Sequence, residues 1–403
     1  MPAALNQNFQ GLTMKQKCYK ELLRCVLRIA VVGFAGIASS QSVRPETVAS
    51  GLQNPWGLAF LPDGRFLVSE RPGRLRMIGS DGTLAAPIEG LPPVAAGGQG
   101  GLLDVIADSD FARNRTVYFC YSEPAPTGGA NSTALARASL SADSARLDNL
   151  KIIFSQKPKL ASSAHFGCRI VESRAPGLKG LPDGKLFLTL GERFSRKDDA
   201  QRLDNHHGKV VRINKDGSVP PDNPFVGKSG ALPEIWSYGH RNSQGATLAP
   251  DGTLWVHEHG PQGGDEINLP KAGANHGWPV ISYGENYGGG KIGEGLTSKP
   301  DMEQPLHYWV PSIAPSGMAF LTSERYGKDW QGNLFIGSLK FGYLDRIELS
   351  EPFAGKVVRE SKLLADVGER IRDVRQGPDG LLYVLTDARQ GRLIRLVPHA
   401  ASR

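Results

Sequence analysis

The chain has 403 residues, with 47 Lys and Arg against 40 Asp and Glu, 49 Gly and 28 Pro. That length is ample for a large core, and the mild positive charge includes no basic run interleaved with aromatics, so nothing points to a nucleic-acid partner. The glycines and prolines are scattered among short apolar runs, which is the distribution of a turn-rich all-β protein and not of a disordered one.

At the start of the chain, Lys15, Lys17, Lys20, Arg24 and Arg28 precede the apolar run Ile29–Ala38 and the small residues Ser39 and Ser40. A basic segment, a short apolar run and a small-residue end predict a cleaved secretory signal peptide over residues 1–42, for which Met14 is a better-proportioned start than Met1. The run is too short to span a bilayer comfortably. The expectation is a periplasmic or secreted protein with no stable membrane span after cleavage. The leader takes five bases and one acid, leaving 42 bases against 39 acids in residues 43–403. It also takes Cys18 and Cys25; Cys120 and Cys168 remain, and spacing alone does not say whether they pair.

Beyond the leader one unit recurs: a turn with Asp-Gly or its equivalent, an alternating strand, and often a second strand ending in basic and apolar residues. It occupies residues 61–78, 111–123, 181–193, 249–260, 330–349 and 377–396. Any one Asp-Gly reads as a hairpin turn. Six in order read as blades. Helical periodicity is scarce after the leader, and no linker or charge block divides the remainder. Residues 43–403 are therefore predicted to form a single all-β domain, a six-bladed β-propeller.

The chemistry-bearing residues follow in order. Gly97-Gly98-Gln99-Gly100-Gly101 lacks the Lys and Ser/Thr of a phosphate loop. Its glycines let backbone approach a flat ligand, with Gln99 as an amide partner, or they form a bare turn. His165 stands just before a strand and Glu192 ends the strand of the same unit; a carboxylate fixes an imidazole tautomer and raises its basicity. No G-x-S-x-G nucleophile motif occurs, so a histidine base acting on a hydroxyl is the expected chemistry. Arg241 and Asn242 precede another strand, and an arginine fork suits carboxylates or a developing oxyanion. His257 and His259, two apart on one strand face, invite zinc. The residues that follow, Gly260, Pro261, Asp265, Glu266 and Asn268, favour calcium through hard oxygen donors. Lys340, Arg370 and Arg372 sit at strand edges late in the chain, the last two sharing a face. Pointed at the propeller axis with Arg241, these cations would build a pocket for a polyanion.

Across residues 50–396 the chain resembles the soluble quinoprotein sugar dehydrogenases. The resemblance rests on NPWGLAFLPDG, GGQGGLLD, HFG before a strand, SYGHRNSQG, HGPQGGDEINL, NHGWP, YWVPSIAPSG, GSLK and ERIRDV. The HEHGP form and the compact chain make it more similar to the aldose sugar dehydrogenase branch than to the larger glucose dehydrogenases. The resemblance implies a six-bladed propeller that binds pyrroloquinoline quinone (PQQ) and calcium. It implies His165 as general base oriented by Glu192. Gln99, Arg241, Asn242, Lys340, Arg370 and Arg372 would stand around the quinone, with Tyr287 and Ser312 further out. Gly260 and Pro261 would offer carbonyls to the cofactor's calcium, and Glu266 would serve a second, structural calcium. Three departures stand out. Glu192 replaces the aspartate usual in the glucose branch. His276 replaces a tyrosine beside the calcium wall, where a main-chain carbonyl would still serve as ligand. The loop between Ile170 and Asp183 is enlarged near the base.

The expected activity is oxidation of aldose sugars at C1 to lactones, with electrons passing to an acceptor that the sequence does not name. Two alternatives are a secreted propeller that only binds a ligand and a calcium-dependent lactonase. The first has no reason to keep the cation set, and the second has no need of it.

Overall fold

The computed structural model describes residues 43–174 and 181–399, and the predicted signal peptide over residues 1–42 lies outside them. The stretch 171–182, expected as an enlarged loop near His165, is instead strand up to Arg174 and again from Pro182, and the pairing of Gly167 with Leu190 and of Arg174 with Pro182 sets those two residues at the opposite end of the hairpin from His165 and Glu192. The described residues form twenty-four strands in six four-stranded antiparallel sheets. After β1 (Val43–Leu52), the first sheet is β2 (Pro55–Phe60), β3 (Phe66–Glu70), β4 (Arg74–Ile78) and β5 (Leu84–Ile88). The second is β6 (Leu102–Ala107), β7 (Thr116–Pro124), β8 (Asn131–Leu140) and β9 (Leu147–Ser155). The third is β10 (Gly167–Arg174), β11 (Pro182–Leu190), β12 (Lys209–Asn214) and β13 (Ile235–Tyr238). The fourth is β14 (Ser243–Leu248), β15 (Leu254–Glu258), β16 (Asp265–Asn268) and β17 (His307–Trp309). The fifth is β18 (Pro315–Phe320), β19 (Leu334–Ser338), β20 (Leu344–Glu351) and β21 (Ala354–Leu363). The sixth joins β22 (Ile371–Gln376), β23 (Leu382–Thr386) and β24 (Gly391–Pro398) to β1, in the register Val43↔Pro398 and Thr47↔Ile394. This is the predicted six-bladed propeller.

The recurring sequence unit maps onto one structural position. Its alternating strand is the second strand of each sheet: β3, β7, β11, β15, β19 and β23. These strands are covered on both faces by neighbouring sheets, so β3, β19 and β23 are buried at every residue. Expected to alternate apolar and polar residues, they instead read as near-continuous apolar runs for that reason. The outermost β21, by contrast, has no buried residue. One core cluster runs from the fifth sheet through the sixth to the first and includes Phe335, Leu344, Ile371, Val384, Leu58 and Val68. A fully buried aliphatic side chain of this kind contributes about 1.5–3 kcal/mol.

The innermost strands β2, β6, β10, β14, β18 and β22 neighbour one another around the axis. Such close approach demands small residues. A Cβ on Gly317 would lie 2.3 Å from the Val374 amide nitrogen and 2.4 Å from Asp373 Oδ1. Gly317→Ala is accordingly expected to lower unfolding free energy by about 1–3 kcal/mol, the usual scale of overpacking, as read from the urea midpoint.

A charged network fills the axis. Arg169 Nη1 lies 3.1 Å from Asp104 Oδ1 and 3.0 Å from Asp373 Oδ1, while Arg375 lies 2.8 Å from Asp104 and 3.2 Å from Asp373. The backbone amides of Ile170 and Leu58 donate to the remaining carboxylate oxygens at 2.9 and 3.1 Å. Arg169 also lies over the Trp56 ring at 4.3 Å. Residues of the first, second, third and sixth sheets are thus tied together at the centre. Cys120 on β7 and Cys168 on β10 form a disulfide, which adds a covalent tie between the second and third sheets.

Candidate active site

The loops that enter the innermost strands converge at one end of the axis. His165 lies in the loop before β10, in left-handed backbone with φ 51°. Two contacts hold it there. Its amide donates to Gln99 Oε1 at 2.8 Å, and its carbonyl approaches Gly191 so closely that a Cβ there would lie 2.1 Å away. Gly191 follows β11 directly, so Glu192 arrives beside the imidazole, with Oε2 2.6 Å from Nδ1. An ionised carboxylate only accepts, so Nδ1 carries the hydrogen and Nε2 presents its lone pair. Nε2 has no hydrogen-bond partner among the described residues. Burial pulls the His165 pKa below the ordinary histidine value; Glu192 opposes this, and Arg241 and Arg193 add to it. The ring is therefore held in one tautomer, with burial favouring its neutral form.

Next to this pair opens a cavity of about 660 Å³. Gln99, Asn242, Lys340, Arg370 and Arg372 are on its wall, with Trp56. Arg370 and Arg372 both reach Asp387 Oδ2, at 3.3 and 3.2 Å. Burial lowers the Arg372 pKa to about 10. Its Nε is buried without a partner, and Lys340 has no ion-pair partner among the described residues. With Arg71, which also lines the cavity and which no motif singled out, four cations against the one carboxylate of Asp387 leave net positive charge facing it. Asn242 Oδ1 accepts from the Gly167 amide at 3.3 Å and from Gln244 Nε2 at 3.3 Å, so its amide is held flat against the wall. This donor set suits a planar polyanion such as a tricarboxylate quinone.

Arg241 departs from the expectation of a four-cation pocket. It is tied below the wall, with Nη1 donating to the His259 and Gly260 carbonyls at 2.9 and 2.6 Å and Nη2 donating to the Tyr287 hydroxyl at 3.3 Å. Its Nε is buried and unpartnered. Gly260 and Pro261 line a second cavity of about 540 Å³ together with Tyr287 and Ser312. His259, Ala314 and Lys340 border both cavities. Ser312 acts through Asp265, donating to its Oδ2 at 2.5 Å, while Asp265 Oδ1 accepts from the Gly260 amide at 2.9 Å. Carbonyl oxygens of this kind, anchored from behind by a carboxylate, suit a calcium ion.

Glu266 does not line that second cavity but borders a narrow hollow with Glu258 and His276, a hollow that Gly260 also borders. Burial and the Glu258 carboxylate push its pKa up to about 8, while Asn268 donates to it at 3.2 Å. Two glutamates converging in low dielectric suit a cation. His276 stacks on His240 at 4.5 Å, and both of its ring nitrogens are buried without partners. No group of three or more His, Cys, Asp or Glu that could hold a metal occurs among the described residues. Any cation here would depend on carbonyl and amide oxygens. The histidines that suggested zinc also separate: His257 is buried against Gly245, whereas His259 lies beyond β15, lines the large cavity and donates from Nε2 to the Pro315 carbonyl at 2.7 Å. Arg370 likewise precedes β22, so it does not share a strand face with Arg372, although both reach the same cavity.

Several residues of the site carry no motif of their own. Asp387 halves the charge of the Arg370–Arg372 pair, and its signal was only an acid following a strand. Trp56, under Arg169 and Arg372 at 4.3 and 5.6 Å, was visible in NPWG but gave no hint of its cationic neighbours.

The chain is 45% identical over 367 residues to the aldose sugar dehydrogenase YliI of Escherichia coli (strain K12), covering 90% of this chain and 94% of that protein. A crystal structure of a glucose dehydrogenase superposes with a TM-score of 0.82 at 48% identity, covering 89% of this chain and all of the other. The PQQ-bound form of aldose sugar dehydrogenase from Streptomyces coelicolor superposes with a TM-score of 0.71 at 27% identity, covering 90% of this chain and 99% of that one. The glucose/sorbosone dehydrogenase family profile matches residues 52–395, nearly the whole propeller, and the chain belongs to that family.

Proposed function

We propose that this protein oxidises aldose sugars at C1 to lactones, using PQQ and calcium. The observation that carries the reading is the neutral His165, locked by Glu192 at 2.6 Å, beside a cavity walled by Lys340, Arg370 and Arg372. PQQ supplies the two-electron acceptor when bound, with calcium polarising its carbonyl. Lys340, Arg370 and Arg372 would hold its carboxylates, and Gln99 and Asn242 its edge. The Gly260 and Pro261 carbonyls would hold the calcium ion, with Arg241 placed against the same Gly260 oxygen. His165 Nε2 would accept the proton of the anomeric hydroxyl, while Glu192 steadies the imidazolium that results. Tyr287 and Ser312 would border the cofactor's outer side. Glu266, with the main-chain oxygens around His276, would hold a second cation.

The Cys120–Cys168 disulfide supports an oxidising compartment, in line with a periplasmic or secreted protein whose leader is residues 1–42. No helix among the described residues is long and apolar enough to cross a membrane. The binding-module and lactonase alternatives are not favoured by any contact in the site. Adding PQQ and calcium to the apoprotein and following dye reduction by a panel of aldoses tests the proposal. Sugar-dependent reduction is expected with both additions and not with either alone. Absence of turnover with every sugar, and no bleaching of bound quinone, sinks it.

A further inference from the structure

Arg193 and Phe194, directly after Glu192, both hold left-handed backbone, with φ of 68° and 66°. Neither residue type adopts that conformation readily, and it persists only where surrounding contacts over-determine it. The contacts are specific here. The Phe194 amide donates to Glu192 Oε2, the same oxygen that receives His165 Nδ1, and the Ser195 amide donates to the Arg193 carbonyl at 2.8 Å. The turn lays the Phe194 ring edge-on to His165, with centroids 5.2 Å apart and planes at 83°. The same ring stacks on Tyr287 at 6.3 Å and 30°. Phe194 stays 53% exposed, whereas His165 beside it is 4% exposed. A large apolar ring held half in water on strained backbone does little for the core. Its effect is to cover the imidazole.

We propose that Phe194 is a positioning residue for the proton-accepting imidazole: its ring shields the His165–Glu192 pair from water and holds His165 in its neutral, accepting form. The inference rests on the function proposed above for His165. The charged groups facing the imidazole are Glu192, which favours the cation, and Arg193 and Arg241, which disfavour it. Burial is the largest single influence, and with the two arginines it prevails over Glu192. Phe194 is the portion of that burial that a substitution removes without altering any charge.

The test is an NMR titration of the His165 imidazole in the apoprotein, comparing wild type with Phe194→Ala and Phe194→Leu. Water readmitted by Phe194→Ala favours the imidazolium, so the His165 pKa should rise by roughly half a unit to one unit. Phe194→Leu restores apolar cover and should bring it back towards wild type. In the reconstituted enzyme the acid limb of kcat/KM should move up by the same amount. The deficit of Phe194→Ala then grows as pH falls and largely closes at high pH. An unshifted His165 titration, or a deficit uniform across pH, overturns the proposal and leaves Phe194 a packing residue. The titration needs neither quinone nor sugar. It is therefore read even if wild type oxidises no aldose, which separates failure of this inference from failure of the proposed function.

Discussion

Replacement of His165 by alanine is expected to lower turnover about 10²- to 10⁴-fold while PQQ still binds, the scale on which a positioned general base acts. The two effects separate because different residues carry them. The cavity cations Lys340, Arg370 and Arg372 make no hydrogen bond to His165, so the spectrum of reconstituted quinone should survive the substitution. In wild type the base must be neutral to accept a proton, and burial holds its pKa below the ordinary histidine value. The rate should therefore stay level as pH falls through that ordinary value and decline only when the lowered pKa is reached. Stopped-flow bleaching of bound quinone by sugar, followed across pH, checks both statements. If His165→Ala abolishes quinone binding as well, His165 is a structural residue and the base lies elsewhere.

Arg169→Met is expected to lower unfolding free energy by about 3–5 kcal/mol, because it removes one partner from a buried network and strands the others. Asp104 and Asp373 would then share Arg375 alone. The side chains of Arg169, Asp104 and Asp373 are at most 1% exposed, so water cannot take the place of the lost guanidinium. Trp56, which Arg169 and Arg372 both overlie, would lose one of its two cations, so affinity for quinone should fall together with stability. Urea unfolding of the apoprotein measures the first effect and spectroscopic titration the second. A stability loss under about 1 kcal/mol would show that the axis relaxes around the missing charge and that the network is not what ties the sheets together.

What could be read from the sequence was local. The turns before the second strands, Asp-Gly in the first, third, fourth and sixth sheets and equivalents in the other two, marked those strands correctly because a short turn and the apolar run after it are decided within about ten residues. His165 and Glu192 were paired on a similar basis, one before and one after the hairpin of β10 and β11. Features settled by long-range contact were not legible. Asp387 meets Arg370 and Arg372 only after β22 and β23 have paired. Arg241 looked like a fourth cavity cation, yet the carbonyls of His259 and Gly260 draw it under the wall. His257 and His259 shared a face on paper, but β15 ends at Glu258, so the two rings diverge. Phe194 passed unnoticed because its value depends on a strained turn that no propensity rule predicts.

The pairing of β1 with β24 has a consequence for the order of events in biogenesis. The sixth sheet is assembled from both ends of the chain, and it carries Arg370, Arg372 and Asp387. A nascent chain that has made five sheets has His165, Glu192 and the Gly260 wall, but it lacks two of the four cavity cations, Arg370 and Arg372. Such a chain has a base without an anion site. The ring also cannot latch until its first strand finds its last, a search across the full length of the polypeptide. Cofactor capture is thus coupled to completion of the ring, and a chain truncated before β22 would be rejected by its ligand as well as left with an open edge.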